Sequence, residues 1–255
     1  MKLLRFSRLR IFAVCLAKDE EDIIGYQLEH LIQQGISHIL LIDNLSKDNT
    51  KVIAKKYSKE FPVTILDDSE FAYYQARKMN YYISLAYSLG ADFILPVDID
   101  EIWHPIDSSF TLKEAIREYS GRNSIFECKR HNFIPSSLDG NEKNPFLRMK
   151  HFDPATRIGP KVCFTRDKSA ILTMGNHEVH NHKGSRIGNV IGINHYPYRS
   201  FEQFKRKLQN GRLVLESTNL PEGIGVHWRT LGALNDDEIA EKWAEFLSTP
   251  TMRFE

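Results

Sequence analysis

Across the first hundred residues, short apolar runs alternate with amphipathic segments, and each apolar run ends in acids or amides. IFAVCL (11–16), ISHILLI (36–42), VTIL (63–66) and DFILPV (92–97) have the length and branched composition of buried strands. Between them, Ile24, Leu28 and Leu31 share one helical face, with Gly35 as the stop. Thr50 is placed to cap a short helix over KVIAKKY. Ala72, Ala76, Met79, Ile83 and Ala86 recur at spacings of three and four, which predicts a helix over 70–89 closed by Gly90. Strand–helix alternation of this kind demands an α/β, doubly wound, mostly parallel sheet. Such sheets bind ligands beyond the carboxyl ends of their strands. The polar clusters lie there: Lys18, Asp19 and Glu20; Asp43 to Thr50; Asp67 and Asp68; Asp98 to Glu101. One polar loop would be ordinary; four at one edge predict a site.

After Pro105 the rhythm changes. A helix is expected over 111–119, strands at SIFECKR (124–130) and KVCFT (161–165), and an amphipathic helix over 236–247. SFEQFKRKLQNG (200–211) reads as a helix with Ser200 as N-cap, Gln203 closing a capping box and Gly211 as stop. No repeat, low-complexity tract or clear linker divides the chain.

Charge narrows the function. Lys plus Arg number 34 and Asp plus Glu 33, a net of +1, so no global field attracts nucleic acid. Lys2, Arg5, Arg8 and Arg10 form a basic start that could touch an anionic membrane, though a solvated terminus explains it as well. No apolar stretch is long enough to span a bilayer, which leaves peripheral contact as the most the sequence suggests. Cys15, Cys128 and Cys163 are odd in number and far apart, which argues for a reducing, cytoplasmic setting.

FILPVDIDEIW (93–103) carries the sharpest chemical hint, because a buried run ends in Asp98, Asp100 and Glu101. In an extended chain Asp98 and Asp100 project together while Ile99 stays in the core. Adjacent carboxylates repel, and a divalent cation, Mg²⁺ or Mn²⁺, relieves the conflict. A surface turn with solvated acids is the plainer alternative. The chain has no GxGxxG and no GxxxxGK[ST], so dinucleotide and P-loop readings are disfavoured. His177, His180 and His182 have no thiolate or HExxH context, which disfavours zinc.

The stretch CLAKDEEDIIGYQLEHLIQQGISHILLIDNLSKDNT resembles the opening of family 2 nucleotide-sugar glycosyltransferases with the GT-A fold. ARKMNYYISLAYSLGADFILPVDIDEIW is similar to their next block, with Asp98–Ile99–Asp100–Glu101 as the D-x-D-E segment. GNHEV (175–179) and NHYPYRSFEQFKRKLQNG (194–211) resemble signatures of a subgroup. The resemblance implies a GT-A type, Rossmann-like sheet with a mixed acceptor-side half, in one domain over 1–255. Residues 11–105 would bind the donor and 106–211 would complete the metal and acceptor site, with 212–255 as a helical tail.

The same resemblance implies a metal-dependent transferase moving a sugar from a nucleotide-sugar, UDP-linked, to a glycan or other hydroxyl acceptor. Such enzymes build cell-surface polysaccharide or glycoconjugates at or near the inner face of the membrane. Lys18, Glu20, Asp43, Asn44, Arg77, Asn80, Asp98, Arg199 and Lys207 would serve the donor, with Asp43 facing the base. Asp98, Asp100, His177 and His195 would hold Mn²⁺ or Mg²⁺. Ordinary surface solvation competes for Arg77 and Lys207 and is the favoured reading of Lys78. The acceptor's proton needs a carboxylate, for which Glu101, Glu127, Asp139 and Glu178 are available. Two other readings compete. A sugar nucleotidyltransferase would want a Gly-rich phosphate loop that CLAKDEED lacks, and a non-catalytic binding module would bind donor without turnover.

Overall fold

The four apolar runs become four parallel strands; those at 11–17, 38–43 and 93–98 are buried almost throughout, while the one at 63–67, at the sheet edge, is mostly half-buried. The computed structural model describes residues 9–72, 74–155, 158–219, 221 and 225–254, so Lys2, Arg5 and Arg8 of the basic start lie outside it. In chain order the first elements are β1 (Ile11–Ala17), α1 (Ile24–Gln33), β2 (His38–Asp43), α2 (Thr50–Tyr57), β3 (Val63–Asp67), α3 (Gln75–Ser88) and β4 (Phe93–Asp98). β5 (Glu101–Pro105), α4 (Leu112–Tyr119), β6 (Ser124–Asn132), α5 (Pro145–Arg148), β7 (His151–Phe152), β8 (Lys161–Thr165) and β9 (Ile171–Leu172) follow. A 3-10 turn at Met174–Asn176 leads to β10 (Val179–His180), β11 (Ser185–His195), α6 (Phe201–Glu216), α7 (Val226–Leu231), α8 (Asp236–Ser248) and β12 (Met252–Arg253).

The chain divides into two compact units, the first from residues 1–69, 75–130 and 158–194, the second from 70–74, 131–157 and 195–255. In the first, an eight-stranded sheet runs β3-β2-β1-β4-β8-β6-β11-β5. β1, β2, β3 and β4 pair in parallel, with Ala17 opposite Asp43, Asp43 opposite Asp67, and Leu16 opposite Asp98. That register brings all four strand ends to one edge. β8 then pairs antiparallel with both β4 and β6, which makes the sheet mixed. Phe12, Val14, Leu40, Ile42, Ile83, Ile94 and Phe164 belong to one buried cluster. Each such side chain contributes roughly 1.5–3 kcal/mol by leaving water.

The second unit holds the β7–β12 pair and helices α5 to α8. Phe133 stacks on Tyr196 with ring centroids 4.6 Å apart. Phe204, Leu208 and Ile239 pack with Trp243 and Phe246 to join α6 to α8. No helix among the described residues is long and apolar enough to cross a membrane.

Several local expectations change. Thr50 is the first residue of α2 rather than its cap; Asp48 Oδ1 accepts from the Thr50 N–H at 2.9 Å instead. The helix expected over 70–89 covers only 75–88, with Tyr73 outside the described residues. α6 runs through Gly211 to Glu216, because Val214 and Leu215 extend its buried face. Ser200 does cap it, but Gln203 Oε1 accepts from the Arg199 N–H, one residue earlier than a capping box requires. β5 and β11 were not anticipated.

Candidate functional site

The ends of β1, β2 and β3 are stitched into one rim. Glu20 N donates to Thr50 Oγ1 at 2.8 Å, Asp19 N to Ser46 Oγ at 3.0 Å, and Lys47 N to Asp19 Oδ1 at 2.6 Å. Asp19 holds φ +54 and Leu45 φ +57, left-handed geometry that these bonds stabilise. Lys18 Nζ donates to the Asn44 carbonyl at 3.0 Å, and Asn44 Nδ2 donates to Asp68 Oδ2 at 2.9 Å. Burial lowers the Lys18 pKa, with Asp19 and Asp43 opposing. Asp68 also pairs with Lys78 at 2.6 Å; Lys78 is buried, which overturns the expectation of a solvated helix surface. Asp43 is only 5 % exposed, and its Oδ1 has no hydrogen-bond partner. An orphaned buried carboxylate oxygen at a strand end is an unmet demand for a donor.

The β4 end answers the question of the three acids differently from the sequence. Ile99 and Asp100 form a turn between β4 and β5, so the alternation of an extended chain does not govern where Asp98 and Asp100 point. Asp98 Oδ2 is ion-paired with Lys161, and Asp98 Oδ1 accepts from Asn176 Nδ2 at 3.2 Å. Glu101 has no exposed surface; its Oε1 meets Lys161 Nζ at 2.9 Å and Arg130 Nη1 at 3.2 Å. Lys161 and Arg130 therefore offset the charges of Asp98 and Glu101. Burial alone would lower the Lys161 pKa, but Asp98 and Glu101, against Arg130, carry it above the ordinary lysine value. A base must reach a solvent-borne hydroxyl, and Glu101 presents no accessible oxygen for that.

α3 and the 3-10 turn supply the next layer. Gln75 Oε1 accepts from Gly175 N at 2.6 Å and its Nε2 donates to Asn176 Oδ1 at 3.1 Å. Asn80, expected at the donor, spends both ends of its amide on the Leu172 backbone. Arg77 is exposed on α3. His177 donates Nδ1–H to the Pro160 carbonyl at 2.8 Å, which leaves Nε2 as the acceptor of the neutral ring. Burial, Arg130 and Lys161 lower its pKa, against the Pro160 bond and Asp98. Glu178 binds Arg186 at 2.5 Å, and Arg186 also holds Glu127. That bond lowers the Glu178 pKa and weakens it as a base.

The remaining expected residues belong to the second unit. His195 Nδ1 lies 2.9 Å from Asn132 Oδ1. Arg199 is buried and donates Nη1–H to the Tyr196 carbonyl at 3.0 Å, while Lys207 Nζ donates to the Pro197 carbonyl at 3.2 Å. Burial raises the Asp139 pKa, with Oδ2 accepting from Ser136 N at 3.0 Å and Oδ1 3.8 Å from His151 Nδ1. A raised carboxyl pKa suits proton acceptance.

The divalent cation that the fold family implies can be tested against these donors. Among the described residues no three His, Cys, Asp or Glu side chains converge on a metal position. Asp98 is committed to Lys161 and Asn176, and Lys161 and Arg130 already hold the buried Glu101 carboxylate. The side chains present do not fit a preformed divalent site. Sequence reasoning missed Lys161, Arg130, Asn176 and Gln75. A lysine opening the otherwise apolar strand KVCFT was the one available signal.

The family model described as "Glycosyl transferase family 2" matches residues 13–171. No curated protein sequence matches the chain. Among solved structures, S. aureus TarS 1–349 in complex with UDP-GlcNAc is similar at 14% identity and TM-score 0.48, over 94% of this chain and 74% of that one. Glucosyl-3-phosphoglycerate synthase from Mycobacterium tuberculosis, in complex with Mn²⁺, UDP and glucosyl-3-phosphoglycerate, is similar at 15% identity and TM-score 0.31, over 48% of this chain and 44% of that one. HddC from Yersinia pseudotuberculosis, complexed with GMP-PN, is similar at 12% identity and TM-score 0.35, over 72% and 89%.

Proposed function

This chain belongs to glycosyltransferase family 2, and from that premise we propose that it moves a sugar from a UDP-linked donor to a hydroxyl acceptor on a glycan or glycoconjugate. The observation that carries the donor reading is Asp43. Its buried Oδ1 lacks a partner at the end of β2, the edge where a doubly wound sheet binds ligands. The uracil imide N3–H is a donor that meets this demand. Cytosine presents an acceptor at the same ring position and would leave two lone pairs facing each other.

In the reaction the bond from the anomeric carbon to the diphosphate oxygen breaks as the bond to the acceptor oxygen forms. The acceptor's proton passes to a base, and the diphosphate leaves with the electron pair. Lys18, near Asp43 and pinned by the Asn44 carbonyl, puts positive charge at the rim where the donor is read.

The test is thermal stabilisation by nucleotides, since a ligand at a hundred times its Kd adds about 2.7 kcal/mol to stability. UDP should raise the melting temperature and CDP should not, and Asp43→Ala should erase the difference. Equal shifts with UDP and CDP would refute the assignment of Asp43.

A further inference from the structure

The acids at the β4 end meet a cation that belongs to the chain. We propose that Lys161 is the resident counter-cation of this edge, offsetting with Arg130 the charges of Asp98 and Glu101 so that the chain binds its nucleotide donor without a divalent metal. The inference rests on the donor reading above.

Three observations support it. First, the ammonium is shared: Lys161 Nζ is ion-paired with Asp98 and lies 2.9 Å from Glu101 Oε1. With Arg130 Nη1 at 3.2 Å from the same Glu101 oxygen, two carboxylates face two cations. A divalent ion added against Asp98 would have to displace Lys161 or sit beside it, and like charges at that range repel.

Second, Lys161 cannot withdraw. It opens β8, opposite Cys128 of β6, and only 2 % of it is exposed. An unpaired ammonium buried to that degree is costly, as are the two carboxylates without it. The cluster persists as a unit, whereas a bound ion can leave.

Third, the two acids differ in exposure. Glu101 is sealed, but the Asp98 side chain is 37% exposed and presents the edge to solvent. A carboxylate already compensated from behind does not repel an approaching diphosphate, so no bridging ion is required for the two to come together. The adjacent imidazole of His177 already experiences Lys161 and Arg130 as nearby positive charge.

Calorimetric titration of the full chain with UDP, in excess EDTA and then in millimolar Mn²⁺, tests this. The wild-type Kd should agree between the two conditions within about threefold. Lys161→Met should lose at least about tenfold in EDTA and recover in Mn²⁺, because the acids, no longer compensated by the ammonium, then draw a cation to the exposed Asp98 edge. Lys161→Arg should keep the wild-type behaviour. The wild-type comparison stands even if the Met variant fails to fold. UDP binding that vanishes in EDTA and returns with Mn²⁺ in the wild type would overturn the proposal while leaving the donor reading intact. Absence of UDP binding under both conditions would overturn the donor reading and the proposal together.

Discussion

The Asn80 side chain acts as a strand partner for Leu172: Leu172 N donates to Asn80 Oδ1 at 2.8 Å, and Asn80 Nδ2 donates to the Leu172 carbonyl at 2.8 Å. Leu172 is buried, so neither backbone group has water to fall back on. Asn80→Ala should cost roughly 2–6 kcal/mol, the sum for two orphaned buried groups. Asn80→Asp keeps the acceptor and loses the donor, and should fall between. Chemical denaturation midpoints at constant m-value measure both.

The first hundred residues were legible because one physical rule dominates there. Buried parallel strands must be apolar on both faces, and β1, β2, β3 and β4 lie within two residues of their expected ends. The strand edge as the candidate site followed from topology. What the sequence hid was pairing across distance. Lys161 stands 63 residues from Asp98, and Gln75 stands 101 from Asn176. No local pattern marks such partners. β11 was missed because Gly188, Asn189 and Gly192 interrupt its apolar alternation. Gly211 misled for a related reason: a glycine ends a helix only when no buried face continues beyond it.

Lys78 and Asp68 form a buried pair at 2.6 Å, each 9% exposed in its side chain. Lys78→Met leaves the buried Asp68 carboxylate its Asn44 donor but removes the Lys78 counter-cation, and should destabilise by roughly 3–5 kcal/mol. Asp68→Asn in the same chain removes the stranded charge and should restore part of the loss. A double-mutant cycle read by thermal melting checks this. Strict additivity of the two single effects would show that the pair contributes nothing.

Acid should weaken the fold through His30. Its Nε2–H donates to the Trp103 carbonyl at 2.7 Å, tying α1 to β5. Burial holds the imidazole below its ordinary pKa, with the Trp103 bond opposing and His104 reinforcing. The unfolded chain takes up this proton first. The contribution is therefore complete above about pH 6.5 and is lost as pH falls through the folded value. His38 and His177 are depressed as well and add to the loss. His30→Gln preserves an N–H for Trp103 without titrating. The fall in melting temperature between about pH 7.5 and 5.5 should shrink in this variant without disappearing.

Gly175 couples the 3-10 turn to His177. Its φ of +73 is left-handed, and a Cβ there would stand 2.6 Å from His177 Cδ2 and 2.7 Å from Nε2. Gly175→Ala therefore meets two obstacles: a left-handed alanine costs about 1–2 kcal/mol, and the ring must rotate away. Rotation would lengthen the 2.8 Å bond from Nδ1–H to the Pro160 carbonyl. Two readouts should change together, the melting temperature and the downfield proton signal of His177 Nδ1–H. Gly188→Ala is the control, since its Cβ meets nothing within 4 Å. A Gly175→Ala variant that melts lower with an unchanged His177 signal would show that backbone strain alone accounts for the cost.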